Sequence, residues 1–133
     1  MKLSVIISYY KNLPFLDLIL QDLAKQTYQN FEVIVAEDDD REETKSFIKK
    51  VKFPLSLKHV YHEDIGFRKC AILNKAIKAA EGEYLIFLDG DCIPHPKLVE
   101  TYKKFAHLGV CYGRRVLLCE KFTNKCVADK SFS

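Results

Sequence analysis

Tyr84-Leu85-Ile86-Phe87-Leu88-Asp89-Gly90-Asp91 decides how the rest of the chain is read. The apolar run has the length and composition of a buried strand, expected over residues 83–88. Two carboxylates follow at once, two residues apart, with a glycine between them where a Cβ would hinder a tight turn. Acids so placed can approach one hard divalent cation. Mg²⁺ and Mn²⁺ take oxygen ligands and keep waters or phosphate oxygens in the rest of their shell. Asp89 and Asp91 are therefore candidate metal ligands. A lone pair of this kind also occurs in ordinary turns and helix starts, and its place at a strand's carboxyl end is what favours the metal.

Outward from this stretch, strand and helix patterns alternate. Residues 3–8 form a β-branched apolar run. Asn12 and Pro14 signal a helix start, and Leu16, Ile19, Leu20 and Leu23 recur with helical spacing. Residues 31–36 read as a second strand, 42–51 as a helix that Pro54 ends, and 55–61 as a more polar strand near a sheet edge. Gly66 precedes a helix with an apolar face of Ile72, Leu73, Ala76, Ile77 and Ala80, and Gly82 is the expected stop. A helix from about Pro96 carries Leu98, Val99, Tyr102 and Phe105 on one face, and 109–118 reads as a further strand. Without repeats or linkers, this pattern gives one α/β domain: a parallel sheet with helices on both faces. Ligands in such sheets bind beyond the carboxyl ends of the strands. Attention falls on residues 8–11, 37–40 and 89–91.

With 133 residues the chain is one compact domain at most. A charged share of 29% and the lack of any apolar run near the roughly 20 residues a bilayer helix needs argue against a membrane-spanning protein. Asp17 and Asp22 interrupt the only candidate for a signal-peptide core, so a cytoplasmic location is expected. The net charge of +3 is too small to imply nucleic acid, but it is uneven: −2 over residues 1–91 and +5 over 92–133. The basic third could face phosphate or an anionic membrane surface, or be a solvated helix face. Five cysteines, with no C-x-x-C pair, read as reduced thiols. Cys92 and His95 have zinc-ligand spacing, but no second well-spaced pair supports a zinc site.

Three further features carry chemistry. Six acids lie between 37 and 43; one or two could accept hydrogen bonds from a nucleobase or a ribose, and the rest suit the dipole of the following helix. Ser8-Tyr9-Tyr10-Lys11 ends the first strand, and a tyrosine there offers a face on which a base can stack, or simply packs. Gly66-Phe67-Arg68-Lys69 leads into a helix, where cations and free N–H groups suit a diphosphate, or simply form an exposed cap.

Ser4-Val5-Ile6-Ile7-Ser8-Tyr9-Tyr10, the acidic cluster after Val33–Ala36, and residues 84–91 together resemble the N-terminal half of the family 2 glycosyltransferases, in order and spacing, over residues 3 to about 118. The resemblance implies a Rossmann-like, mostly parallel α/β sheet of glycosyltransferase A type, and roles for particular residues. Ser8 and Tyr10 would lie in the donor-nucleotide site, with Tyr10 against the base. Asp38 would read the base, Asp89 the ribose, and Asp91 with Asp89 the metal-bound diphosphate. Arg68 would contact the diphosphate, and Asn74 matches a frequent helix asparagine. The sequence departs from the family's usual pattern at Glu37, Asp39-Asp40, Lys11 and Leu73. Gly-Phe-Arg resembles a polysaccharide or lipopolysaccharide subgroup.

The implied protein is a Mn²⁺- or Mg²⁺-dependent enzyme that transfers a sugar from a UDP-sugar to a glycan or lipid-linked acceptor with inversion. Polysaccharide synthesis, peripheral association with the cytoplasmic face of a membrane and homo-oligomerisation are further expectations. Family catalytic domains usually run past 200 residues, so residues 1–133 are expected to be a donor-binding half, with the acceptor half largely absent. No general base is identified: Glu100 lies in an expected helix, and Glu120 and Asp129 lie in an ambiguous tail. The alternative is a nucleotide-sugar-binding or regulatory module without chemistry. A phosphoacceptor receiver would need its acidic pair after the first strand, where Ser8-Tyr9 stands, and a nucleotidyltransferase would open with a Gly-rich phosphate loop.

Overall fold

A computed structural model describes residues 1–106, 109 and 120–129. Its elements are β1 (Leu3–Tyr9), α1 (Leu13–Ala24), β2 (Phe31–Glu37), α2 (Glu42–Lys50), β3 (Leu57–Tyr61), α3 (Lys69–Ala79), β4 (Tyr84–Asp89), α4 (Leu98–Phe105) and α5 (Glu120–Asp129). The expected strand over 109–118 lies outside the described residues. The four strands form one parallel sheet in the order β3-β2-β1-β4. The expected edge position of the polar third strand is borne out: β3 is only half-buried, whereas β2 is buried along its whole length.

Alternation along β1 divides the core. Leu3, Val5 and Ile7 pack against Leu16, Ile19, Leu20 and Leu23 of α1 and Val99 of α4. Ile6 turns to the opposite face, where it joins Ile34, Ala36 and the α3 residues Ile72 and Ala76. Helices therefore cover both faces. Each fully buried Leu or Ile contributes about 1.5–3 kcal/mol by leaving water. The α1 cap is the one expected: Phe15 N–H donates to Asn12 Oδ1 at 3.3 Å, and a proline stands in the first turn.

Two expectations about α3 need correction. Ile77 is 39% exposed, so the apolar face is narrower than the sequence pattern predicts. Gly82 is also no left-handed helix stop, because α3 already ends at Ala79 with an extended Ala80. Its role is close approach. A Cβ there would lie 2.5 Å from Ser4 Oγ and 2.6 Å from the Leu3 carbonyl carbon, where β4 enters the sheet beside β1.

Candidate functional site

Parallel pairing brings the carboxyl ends of the strands to one edge. Ser8 pairs with both Ala36 and Asp89, and Tyr9 pairs with Glu37. The pattern extends one step further, where Asp38 N–H donates to the Tyr9 carbonyl at 3.1 Å. Beyond this edge lies a cavity of about 330 Å³, lined by Ser8, Tyr10, Asp38, Asp64, Phe67 and Lys69 among others. Tyr10 and Phe67 are 51% and 87% exposed, and Lys11 Nζ lies over the Tyr10 ring at 4.8 Å from its centre.

Asp38 is buried at the cavity wall. His62 Nε2 lies 2.5 Å from its Oδ1, and Arg68 N–H donates to its Oδ2 at 3.0 Å. Gly66, with φ of +68°, turns the loop that brings this amide to the carboxylate, a conformation that L side chains disfavour. Asp64 also lines the cavity: Tyr10 Oη donates to its Oδ2 at 3.0 Å, and Lys11 Nζ lies 3.4 Å from the same oxygen. Tyr9, by contrast, is buried in the core, and burial pushes its phenol above the usual value. Its hydroxyl accepts the Asn12 N–H at 2.9 Å.

Asp89 stands beside the cavity. Lys69 Nζ lies 2.8 Å from its Oδ1, and Ser8 Oγ donates to the same oxygen at 3.3 Å. Gly90 owes its place to the Ser8 carbonyl, which a Cβ would meet at 2.5 Å. The turn after β4 thus packs directly on the end of β1. Among the described residues, Asp89, Asp91 and Cys92 each have one possible ligand atom within 4.8 Å of the others. His95 is not part of this group; its Nδ1 accepts the Lys97 N–H at 3.1 Å.

The predicted residues are thus largely gathered at one place. Ser8, Tyr10 and Asp38 line the cavity, and Asp89 is tied to it through Ser8 and Lys69. Asp91 and Cys92 flank Asp89. The cation in the cavity lining is Lys69, one residue after Arg68, whose amide holds Asp38. Asn74 is exposed on α3. The acidic run is less solvated than a helix-start reading expects. Only Glu42 and Glu43 occupy the first turn of α2. Glu37 is fully buried, accepting from Thr44 Oγ1 at 2.7 Å, with His59 Nε2 at 2.9 Å. His62 and Asp64 were not singled out in the sequence. The one available signal was their place just past the third strand, at the same sheet edge.

The glycosyl transferase family 2 model matches residues 4–125 of the chain. The chondroitin synthase of Escherichia coli is 34% identical over 101 residues, which are 75% of this chain and 15% of that protein. The validoxylamine A glucosyltransferase of Streptomyces hygroscopicus subsp. jinggangensis is 33% identical over 119 residues, or 88% of this chain and 28% of that one. The crystal structure of S. aureus TarS 1–349 in complex with UDP-GlcNAc matches with a TM-score of 0.69 at 28% identity, covering 89% of this chain and 37% of that one. The α/β fold is of glycosyltransferase A type, as the sequence predicts. The chain belongs to glycosyl transferase family 2. It spans between 15% and 28% of the length of these two curated relatives.

Proposed function

We propose that this chain is the donor-binding half of a metal-dependent glycosyltransferase, which moves a sugar from a UDP-sugar to a glycan or lipid-linked acceptor with inversion. The observation that carries the reading is the cavity at the strand ends, where Tyr10, Asp38 and Lys69 converge beside Asp89. The similar TarS structure, described as a complex with UDP-GlcNAc, supports the choice of nucleotide.

In this reading Tyr10 gives the base a flat face, worth about 1–3 kcal/mol of stacking. Asp38 accepts a hydrogen bond from the imide N–H of uracil. Lys69 puts a positive charge next to Asp89, which takes the ribose. Asp91 and Asp89 suit a hard cation through their carboxylate oxygens, and they would hold Mn²⁺ or Mg²⁺. When bound there, the cation would supply positive charge against the diphosphate leaving group. The glycosidic bond loosens toward an oxocarbenium-like centre, and an acceptor hydroxyl attacks from the opposite face. No described residue is assigned as the base that takes its proton. A polysaccharide or lipopolysaccharide acceptor would place the protein at the cytoplasmic face of a membrane. Among the described residues no helix is long and apolar enough to cross one.

Calorimetric titration with UDP, with and without Mn²⁺, tests the reading. The parent chain should bind UDP more tightly with Mn²⁺, and Asp91→Asn should lose that gain while its metal-free binding stays unchanged. Equal Mn²⁺-dependent affinity in both would remove Asp91 from the metal site. Lack of UDP binding by the parent would contradict the donor site itself.

A further inference from the structure

We propose that His62 is a positioning residue that sets the base preference of the cavity by fixing Asp38 as a hydrogen-bond acceptor. This rests on the reading that Asp38 faces the base.

His62 stands immediately after β3, at the sheet edge, and its ring is not part of the cavity lining. It acts through Asp38. Its Nε2 lies 2.5 Å from Asp38 Oδ1, with the two side chains 15% and 11% exposed. Two lone pairs cannot face each other at that distance, so Nε2 carries the proton and donates. The Arg68 amide donates to the other oxygen at 3.0 Å. One donor on each oxygen fixes the plane of the carboxylate. Each oxygen keeps a second lone pair, and these are what Asp38 presents to the cavity.

A carboxylate held in this way discriminates between bases. The uracil N3–H can donate to it. Cytosine has a lone pair at N3, so acceptor would meet acceptor, and a buried mismatch of that kind is costly. If the His62 donor is removed, Oδ1 loses its anchor, the carboxylate is free to turn, and the contrast between the two bases falls. The neighbouring His59 provides a comparison within the same strand edge. It makes the same contact to Glu37 at 2.9 Å, but Glu37 is fully buried and does not line the cavity. Of the two histidine–acid pairs, only the one at His62 holds a cavity-lining carboxylate.

Two isosteric tests separate positioning from bulk. The glutamine amide reaches close to the place of Nε2, whereas the shorter asparagine amide does not. UDP and CDP affinities are measured by competition calorimetry on the parent, His62→Gln and His62→Asn, with far-UV circular dichroism to check the fold. The parent should prefer UDP. His62→Gln should keep the UDP-over-CDP ratio within about twofold, and His62→Asn should lower it about tenfold, the scale of one lost hydrogen bond to a charged group. The proposal is overturned if both variants keep the parent ratio, or if both lower it equally. A parent chain that binds UDP and CDP alike would instead overturn the assignment of Asp38 to the base, and this proposal with it.

Discussion

Asp38 and Asp40 are two residues apart in one acidic run, yet they meet different surroundings. Asp38 is buried at the cavity and held by His62 and the Arg68 amide. Asp40 is exposed and pairs with Lys45 Nζ at 2.5 Å, ahead of α2. Their substitutions should therefore separate. Asp38→Ala should weaken UDP by about 1.5–3 kcal/mol, the range for a hydrogen bond to a charged group. Asp40→Ala should leave UDP binding unchanged and lower stability by at most about 1 kcal/mol, as for an exposed ion pair near a helix start. Calorimetry with UDP and thermal denaturation of both variants give the comparison. Equal loss of UDP affinity at the two positions would contradict the placement of Asp38. At this scale the sequence was legible as to place: it put Asp38, Asp89 and Tyr10 at the carboxyl ends of the strands, which is where they stand. It was silent on His62, because a contact across 24 residues depends on sheet order rather than on any local motif.

At the scale of elements, apolar runs and turn residues were enough to place β1 to β4 and α1 to α4, because β1 and β2 are buried on both faces and read as continuous hydrophobic segments, whereas α5 lies where the sequence reads only as an ambiguous tail. The misread glycine shows where that logic stops. Gly82 looks like a helix stop in the sequence, but its need arises from β1 passing beside it. The same junction holds a buried charge. Glu32 in β2 accepts from Ser4 Oγ at 2.7 Å and from Glu81 N–H at 2.6 Å, and pairs with Lys58 Nζ at 2.9 Å. Burial pushes the Glu32 carboxyl up, but these donors outweigh it and hold the group below its ordinary value of 4.5. The sign follows from linkage. A carboxyl whose pKa is lower folded than unfolded stabilises the fold above the unfolded pKa, and that contribution is lost as pH falls through the folded one. Denaturant unfolding from pH 7 to pH 3 should show stability falling below about pH 4.5 in the parent. Glu32→Gln should be less stable at pH 7 and should flatten this part of the profile. An unchanged slope would mean that Glu32 is not linked to folding.

At the scale of the whole molecule, four parallel strands and the helices on their two faces hold three chain segments against one cavity: the end of β1, the acidic turn after β2, and the loop into α3. The turn after β4 abuts them through Ser8 and Lys69. The family's order of motifs along the chain becomes a single edge because parallel strands put all their carboxyl ends on one side. The central claim is that this edge binds a nucleoside diphosphate in one orientation. The crystal structure of the chain with UDP and Mn²⁺ tests that most directly. The account predicts the uracil ring against Tyr10 with its imide within hydrogen-bonding distance of Asp38, and the diphosphate and cation at Asp91 and Asp89 beside Lys69. UDP bound with its base turned away from Asp38, or the cation bound without Asp91, would contradict it.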